Sequence, residues 1–350
     1  MDAQLWHEYC VKEMPAEPKH LTLTQWHAMT DSQRGGHIDR LSRWLANLFV
    51  ATSEADAIYR KMTKTVRANA YSPPGAKRLP ALSGVNYVGK STVMMRWARE
   101  RYLGWIADAE QDDYGHPIFR PAPGCEADLY PVVWIDLRAA ALIKDVVGEI
   151  LDFFNLPSEG DTRNVSEAAI GAIRRHRTRV VVIDDVHLLK TNWKGGRDVL
   201  DYVKHFNTRL GKLGVSLVLV GANLEGSDLA TDPQIASRLR LDYLRPYPCE
   251  RYDIDDMRRW QVIVRQLENL VLPHLPRGKP EMLFTRLAQE LYERSQGYIG
   301  DVTELVTEAT LEAIHDGAFR IERKHLDRVE LSKRAEDEYR ETKRPPKRAS

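Results

Sequence analysis

The chain has 350 residues, 43% of them hydrophobic, which is enough to build a sizeable core in one large or two medium domains. Its 51 basic and 50 acidic residues leave a formal net charge of +1, so bulk charge indicates neither a nucleic-acid nor a membrane partner. Any contact with DNA must therefore come from local clusters of basic residues.

The three cysteines also limit the class of protein. Cys10, Cys125 and Cys249 are few, odd in number and widely spaced, which fits neither a disulfide framework nor a zinc site. No stretch approaches the roughly 18 to 20 apolar residues that span a bilayer, and residues 1–8 lack the pattern of a signal peptide. These features predict a cytoplasmic globular protein with no membrane partner.

Residues 1–76 are predicted to form an N-terminal arm and a helical extension. Residues 1–36 mix Trp6, Trp26 and several prolines with polar residues, which indicates an irregular arm. Thr30, with Gln33 three residues later, is a signal for the start of a helix. Apolar residues then recur every three or four positions from 37 to about 70, as one buried helical face requires, although continuation past residue 53 is open.

Residues 77–247 alternate between predicted strands and helices. Strands are expected at 79–83, 132–137, 180–183 and 215–220. Helices are expected at 90–102, 139–154, 166–176 and 197–210, and an insertion-like stretch rich in Asp, Gly and Pro extends to residue 123. Such alternation predicts an α/β core with a parallel sheet sandwiched by helices.

Residues 248–350 are predicted to be helical and then disordered. Helices near 253–270, 281–295 and 301–316 form a candidate C-terminal lid domain, 248–332. The segment 333–350 is charged, which predicts a disordered tail. Its basic end, 343–348, could contact DNA or a partner protein, or remain solvated.

A complete phosphate-loop motif follows the first predicted strand. The pattern G-x-x-x-x-G-K-[ST] is satisfied by Gly84, Val85, Asn86, Tyr87, Val88, Gly89, Lys90, Ser91 and Thr92. The two glycines are expected to permit backbone angles that turn amide N–H groups toward phosphates, helped by the N-terminus of the next helix. Lys90 would neutralise the β and γ phosphates, Ser91 would bind Mg²⁺ and Thr92 would support the loop. The motif predicts an ATP and Mg²⁺ site, and its context disfavours a chance Gly-rich turn.

Two further strands are predicted to deliver polar side chains beside this loop. Asp184 and Asp185 end the buried run 180–183, at the strand end where parallel sheets bind ligands. Asp184 would hold Mg²⁺ and Asp185 would polarise the attacking water, unless it only caps the next segment. Asn223, after strand 215–220, could orient water beside the γ-phosphate or simply occupy a turn. His187 is interpreted as packing at a strand end.

Basic residues supply two weaker candidates. Arg238, or else Arg240, is suited to reach the phosphate of a neighbouring subunit, although surface arginines are ordinarily solvated. The helix near 197–210 could contact DNA phosphates, or present an ordinary solvated face. The basic residues of that region are Lys194, Arg197, Lys204, Arg209 and Lys212.

Taken together, these segments resemble the AAA+ family and, within it, the TniB and TnsC transposition regulators. The resemblance covers residues 30–327. It rests on the helical lead-in that contains His37 and on residues 84–92, 180–189, 219–223, 232–238 and 297–313. It implies ATP-dependent oligomerisation, as a ring or helical filament, on double-stranded DNA. It also implies a link between a target-selection protein and a DDE-type transposase. Asp185 replaces the common Glu, and Gly300 and Asp301 stand where many AAA+ proteins place a sensing arginine, so slow hydrolysis is expected.

Two other functions remain open from the sequence. A replication initiator or loader would use the same core and lid with a different partner. A signalling NTPase switch would use them without DNA.

Overall fold

The chain forms two compact units. The computed structural model describes residues 1–191, 196–248 and 254–343. Unit 1 consists of Met1–Lys12 and Ser53–Leu244, and unit 2 of Glu13–Thr52 and Arg245–Ser350. The segment 1–76, which we predicted as one extension, is thus divided between the two units. No helix in the described ranges is long and apolar enough to cross a membrane.

The strands and helices alternate along unit 1 and give way to helices in unit 2. The strands are β1 (Leu79–Gly84), β2 (Glu110–Gln111), β3 (Pro117–Ala122), β4 (Cys125–Asp128), β5 (Val132–Asp136), β6 (Val180–Asp184), β7 (Ser216–Ala222) and β8 (Leu239–Tyr243). The helices up to β8 are α1 (Ala3–Val11), α2 (Leu23–Ala28), α3 (Asp31–Leu45), α4 (Ser53–Tyr71), α5 (Lys90–Ile106), α6 (Ile143–Phe153), α7 (Thr162–Arg175), α8 (Gly196–Lys212), α9 (Asp228–Thr231) and α10 (Pro233–Ala236). Those after it are α11 (Ile254–Val271), α12 (Ala288–Ser295), α13 (Ile299–His315), α14 (Arg323–Arg328) and α15 (Lys333–Lys343).

A five-stranded parallel sheet, ordered β5-β6-β7-β1-β8, forms the centre of unit 1. Every residue of β1, β6 and β7 is buried. Their nearly continuous apolar runs are typical of strands whose two faces are both covered. The predicted parallel α/β sheet is therefore confirmed. We did not predict β8, because this edge strand is only partly buried and alternates apolar with charged residues.

The insertion after α5 contains a small antiparallel sheet, ordered β2-β3-β4. Gly115 and Gly124 have φ angles of +85° and +75°, which glycine adopts without steric cost, and they occupy the turns between its strands. Asp112 accepts hydrogen bonds from the backbone N–H groups of Tyr114 and His116. The Asp- and Gly-rich composition thus forms hairpin turns.

Two helices replace the irregular arm predicted for residues 1–36. In unit 1, Trp6 of α1 is fully buried and stacks on Trp134, with ring centroids 5.9 Å apart. In unit 2, α2 precedes α3, and the predicted capping box of Thr30 and Gln33 is present at the start of α3. The long predicted helix is divided into α3 and α4. The expectation of an irregular arm was wrong, because composition alone does not show that Trp6 is buried against Trp134.

Unit 2 packs its helices around a separate apolar core. Core residues come from α3, α11, α12, α13 and α14. Helix α15 occupies the first part of the predicted disordered tail. Its Ala335 is fully buried, and its Glu336 accepts a 2.9 Å hydrogen bond from buried Arg294 of α12. These contacts explain why a highly charged segment is ordered, while residues 344–350 lie outside the described ranges.

Candidate functional site

The sheet order places three polar segments at one edge. Strands β6, β7 and β1 are parallel neighbours, so the residues that follow them emerge on the same side. They are the phosphate loop after β1, Asp184 with Asp185 at the end of β6, and Asn223 after β7. Strand β7 lies between β6 and β1, so Asn223 emerges between the two aspartates and the phosphate loop. This is the edge where parallel sheets bind ligands.

The two loop glycines are required for different physical reasons. Gly89 has a φ of +95° and is the N-cap residue directly before α5, where no side chain caps the helix among the described residues. The amide groups of the first turn therefore remain available to an anion. Gly84 does not have positive φ, contrary to our expectation. Instead, a Cβ atom there would lie 2.3 Å from the carbonyl oxygen of Leu244, so backbone proximity requires this glycine.

Lys90 carries a buried positive charge at the base of this loop. Its side chain is 7% exposed, and its Nζ donates a 2.8 Å hydrogen bond to the carbonyl oxygen of Val85. Burial lowers the pKa of Lys90, and the carboxylates of Asp184 and Asp185 act in the opposite direction. A buried ammonium inside a loop of amides suits a ligand with several negative charges.

Asp184 and Ser91 form the oxygen donor set expected for Mg²⁺. Asp184 is 3% exposed, and burial raises the pKa of its carboxyl group. Hydrogen bonds from Ser91 and from the backbone N–H of Asp185, the latter 2.8 Å long, oppose that rise. A hydroxyl and a carboxylate in direct contact can occupy neighbouring positions on one hard cation. The residues therefore fit the predicted metal.

Asp185 and His187 follow β6 in a strained turn. Asp185 has left-handed backbone angles, φ 53° and ψ 33°, and its side chain makes no capping hydrogen bond. The alternative interpretation, in which Asp185 only caps the next segment, is therefore disfavoured. The Nδ1 atom of His187 lies 3.9 Å from the Asp185 carboxylate but accepts a 3.2 Å hydrogen bond from the backbone N–H of Ala222. This hydrogen bond links the turn after β6 to the end of β7.

The turn after β7 is fastened to the start of the phosphate loop. Asn223 has an exposed side chain and left-handed backbone angles, and its N–H donates to the carbonyl of Gly84 at 3.4 Å. Ser83, fully buried on β1, accepts from the N–H of Leu224 at 2.9 Å and donates to Glu225 at 2.5 Å. Sequence reasoning missed this link, and its one signal was a polar residue within the buried strand.

Arg238 lies at the opposite edge of the sheet from the phosphate loop. Its carbonyl accepts a 2.9 Å hydrogen bond from the N–H of Leu79, the first residue of β1. Because a strand rises about 3.3 Å per residue, Leu79 and Gly84 are about 17 Å apart along β1. Arg240 is exposed and donates to backbone carbonyls. The structure does not bring either arginine to the phosphate loop of its own chain.

Helix α8 does not present the free basic face that we considered for DNA. Lys204 is buried, and its Nζ lies 2.6 Å from Asp201 and 3.2 Å from Asp232. Arg209 makes hydrogen bonds of 2.6 and 2.7 Å to Glu167. Arg197 also pairs with aspartates, Lys212 is exposed, and Lys194 lies outside the described residues. Ion pairs within the chain involve Arg197, Lys204 and Arg209, which favours the alternative of an ordinary helix face, and contact with DNA stays a prediction.

Comparison with solved structures identifies proteins with a similar fold. The fold is similar to that of CDC6P from Pyrobaculum aerophilum, with a TM-score of 0.50 and 14% identity over 79% of this chain and 67% of that chain. ORC2 from Aeropyrum pernix gives a TM-score of 0.49 and 13% identity over 81% of this chain and 70% of that chain. At 14% identity, the first similarity shows the fold alone.

The family assignment has a separate basis in sequence. No match was found among curated proteins. The sequence model of the family described as "TniB: Bacterial TniB protein" matches residues 40–248. Because that match covers more than half of the 350 residues, the chain belongs to the TniB family.

Proposed function

We propose that this chain is an ATP-dependent regulator of DNA transposition. In this proposal it binds ATP and Mg²⁺, oligomerises on double-stranded DNA, and links a target-selection protein to a DDE-type transposase. The observation that carries the proposal is the meeting of a complete phosphate loop with the Ser91 and Asp184 oxygens, in a chain of the TniB family. Oligomers and DNA contact are also what the resemblance to AAA+ transposition regulators implies.

Each side chain of the site has a distinct role in the proposal. Lys90 neutralises phosphate charge, and the backbone amides of residues 84–92 orient the phosphates. Ser91 and Asp184 hold Mg²⁺, which supplies charge neutralisation for phosphoryl transfer when bound. Asp185 polarises the attacking water, and Asn223 orients it. The side chain of Asp185 is about half exposed and is shorter than that of Glu by one methylene, so we expect slow turnover.

The position of Arg238 supports the proposed assembly. It lies about 17 Å along β1 from its own loop, so a contact with phosphate requires the loop of a neighbouring subunit. A guanidinium supplied in trans stabilises charge that develops during phosphoryl transfer. Such a head-to-tail contact produces a ring or a helical filament, depending on whether the rotation closes.

The second candidate is a replication-type initiator or loader. It is favoured by one observation, the similarity of the fold to CDC6P, at 14% identity. The same site would serve, with a different protein partner. A DNA-independent switch is the third possibility, and it predicts ATP binding without any effect of duplex DNA.

Electron microscopy with and without duplex DNA tests the proposal. We expect rings or filaments on DNA in the presence of a non-hydrolysable ATP analogue, and dispersed particles without it. Particles that stay monomeric under both conditions would refute assembly. Lys90→Ala should abolish nucleotide binding, since the phosphates lose their buried counter-charge. Recruitment of a transposase, rather than a helicase, by the assembled form separates the first two candidates.

A mixing experiment tests Arg238 specifically. Lys90→Ala and Arg238→Ala should each lose ATP turnover, but for different reasons. In a mixture, the intact Arg238 of Lys90→Ala can meet nucleotide bound to the intact loop of Arg238→Ala, an interface that neither variant forms alone. Turnover should therefore rise above that of either variant alone, and Arg240→Ala serves as the matched control. A mixture as inactive as its components would exclude the trans role while leaving nucleotide binding intact.

A further inference from the structure

A cluster of metal-binding side chains lies in unit 2 and plays no part in the nucleotide site. Glu17 and His20 belong to the segment between α1 and α2, and His274 follows α11 in a short 3₁₀ turn, Leu272–His274. One ligand atom from each of the three residues lies within 4.8 Å of those of the other two. Residues separated by more than 250 positions are thus brought together in space.

His274 is the unusual member of the cluster. It is 5% exposed, yet neither ring nitrogen has a hydrogen-bond partner among the described residues. Its Nε2 lies 3.3 Å from Glu17 Oε1, within ion-pair distance but without hydrogen-bond geometry. A buried imidazole whose two ring nitrogens make no hydrogen bond within the described ranges is a polar group whose burial is uncompensated.

One distance around Glu17 matches that of ligands that share one ion. Two ligands that lie about 2.0 to 2.1 Å from a tetrahedral zinc ion are about 3.3 to 3.4 Å apart. The separation between His274 Nε2 and Glu17 Oε1 is 3.3 Å, whereas His20 Nε2 is joined to the same oxygen by a 2.9 Å hydrogen bond, which an ion would replace. The side chains of Glu17 and His20 are about half exposed, so small rotations can complete the geometry.

We propose that Glu17, His20 and His274 form a zinc site in unit 2. Two imidazoles and one carboxylate are a zinc donor set, and solvent can supply the fourth ligand through the exposed side of His20. The indole of Trp44, with its ring centroid 5.1 Å from that of His274, provides an apolar wall. The bound ion links residues 17–20 to the helical core and gives the buried imidazole a partner. This site is independent of the proposed function.

Zinc titration of the full chain tests the site. The protein is titrated with Zn²⁺ in excess Mg²⁺, without nucleotide, and Co²⁺ absorption reports the coordination geometry. We expect one tight ion per chain, with tetrahedral Co²⁺ bands. Glu17→Gln and His20→Ala should each weaken binding by about 100-fold or more, since each removes a ligand. Both side chains are exposed, so these variants are expected to fold. His27→Ala, on an exposed helix position of the same unit, is the matched control.

Trypsin cleavage provides a second measurement. Lys19 is exposed and lies between two of the ligands, so Zn²⁺ should slow cleavage after Lys19 in the wild type and in His27→Ala. It should not do so in His20→Ala. The proposal is overturned if the wild type binds no zinc below about 100 μM. It is equally overturned if His27→Ala weakens binding as much as His20→Ala, or if His20→Ala binds as tightly as the wild type.

Discussion

Replacing Gly84 with Ala tests whether backbone proximity explains the first glycine of the phosphate loop. An ideal Cβ at this position would lie 2.3 Å from the carbonyl oxygen of Leu244. Carbon and carbonyl oxygen atoms normally approach to about 3.3 Å, so the Leu244 carbonyl must move by about 1 Å. That carbonyl follows β8, and the N–H of the same residue donates a 2.9 Å hydrogen bond to Ser83. The change should therefore loosen the pairing of β1 with β8.

The free-energy cost can be built from these contacts. Overpacking against rigid neighbours costs about 1 to 3 kcal/mol. Weakening the hydrogen bond from Leu244 to Ser83 adds about 1 kcal/mol. We therefore expect Gly84→Ala to lower the free energy of unfolding by about 2 to 4 kcal/mol.

Two other Gly→Ala changes in unit 1 provide matched comparisons. A Cβ at Gly89 meets no atom within 4 Å, but the φ of +95° should cost about 1 to 2 kcal/mol and misdirect the loop amides. Gly171, inside α7, has open space and no positive φ. Gly171→Ala should therefore stabilise the chain by about 0.5 to 1 kcal/mol.

Urea denaturation and nucleotide titration together distinguish the three variants. We expect Gly84→Ala to be the least stable and Gly171→Ala the most stable, while Gly89→Ala should show the largest loss of ATP affinity relative to its loss of stability. If Gly84→Ala unfolds within about 0.5 kcal/mol of the wild type, the close approach of Leu244 does not explain the glycine.

Three further predictions concern polar groups of unit 1. His187→Ala leaves the buried N–H of Ala222 without its acceptor, and urea denaturation should show a loss of about 1 to 3 kcal/mol. Lys204→Met leaves the buried carboxylate of Asp232 underpaired, which should cost about 3 kcal/mol in the same assay, with unchanged affinity in a DNA-binding titration. The pKa of His7 is held below its ordinary 6.5, mainly by burial. The unfolded chain therefore takes up a proton first, so thermal stability should fall as pH drops below 6.5, and His7→Gln should flatten this dependence.

The phosphate loop and the central strands could be predicted because their signals are local. The motif 84–92 is contiguous, and β6 is an unbroken apolar run that ends in Asp184. Short-range chemistry determines both features, so neighbouring residues are sufficient to recognise them. The contact between Ser91 and Asp184 then follows from the parallel topology, since Asp184 ends β6 and Ser91 lies after β1 in the same sheet.

The elements that were missed depend on contacts between distant residues. Helix α1 is ordered by the stacking of Trp6 on Trp134, and α15 by the ion pair between Arg294 and Glu336. Neither partner can be identified from the composition of the segment itself. The same limit applies to Lys204, which has the sequence signature of a surface cation but is buried between two aspartates.

The position of Arg238 follows from a strand that the sequence did not reveal. Once β8 pairs in parallel with β1, the residue before β8 must lie at the amino edge, while the phosphate loop leaves from the carboxyl edge. An arginine at this position cannot assist the nucleotide site of its own chain without dismantling the sheet. Its guanidinium is therefore either a surface charge or a group that acts on a neighbouring subunit. Because the second role requires two chains, the mixing of Lys90→Ala with Arg238→Ala distinguishes between them in a single measurement.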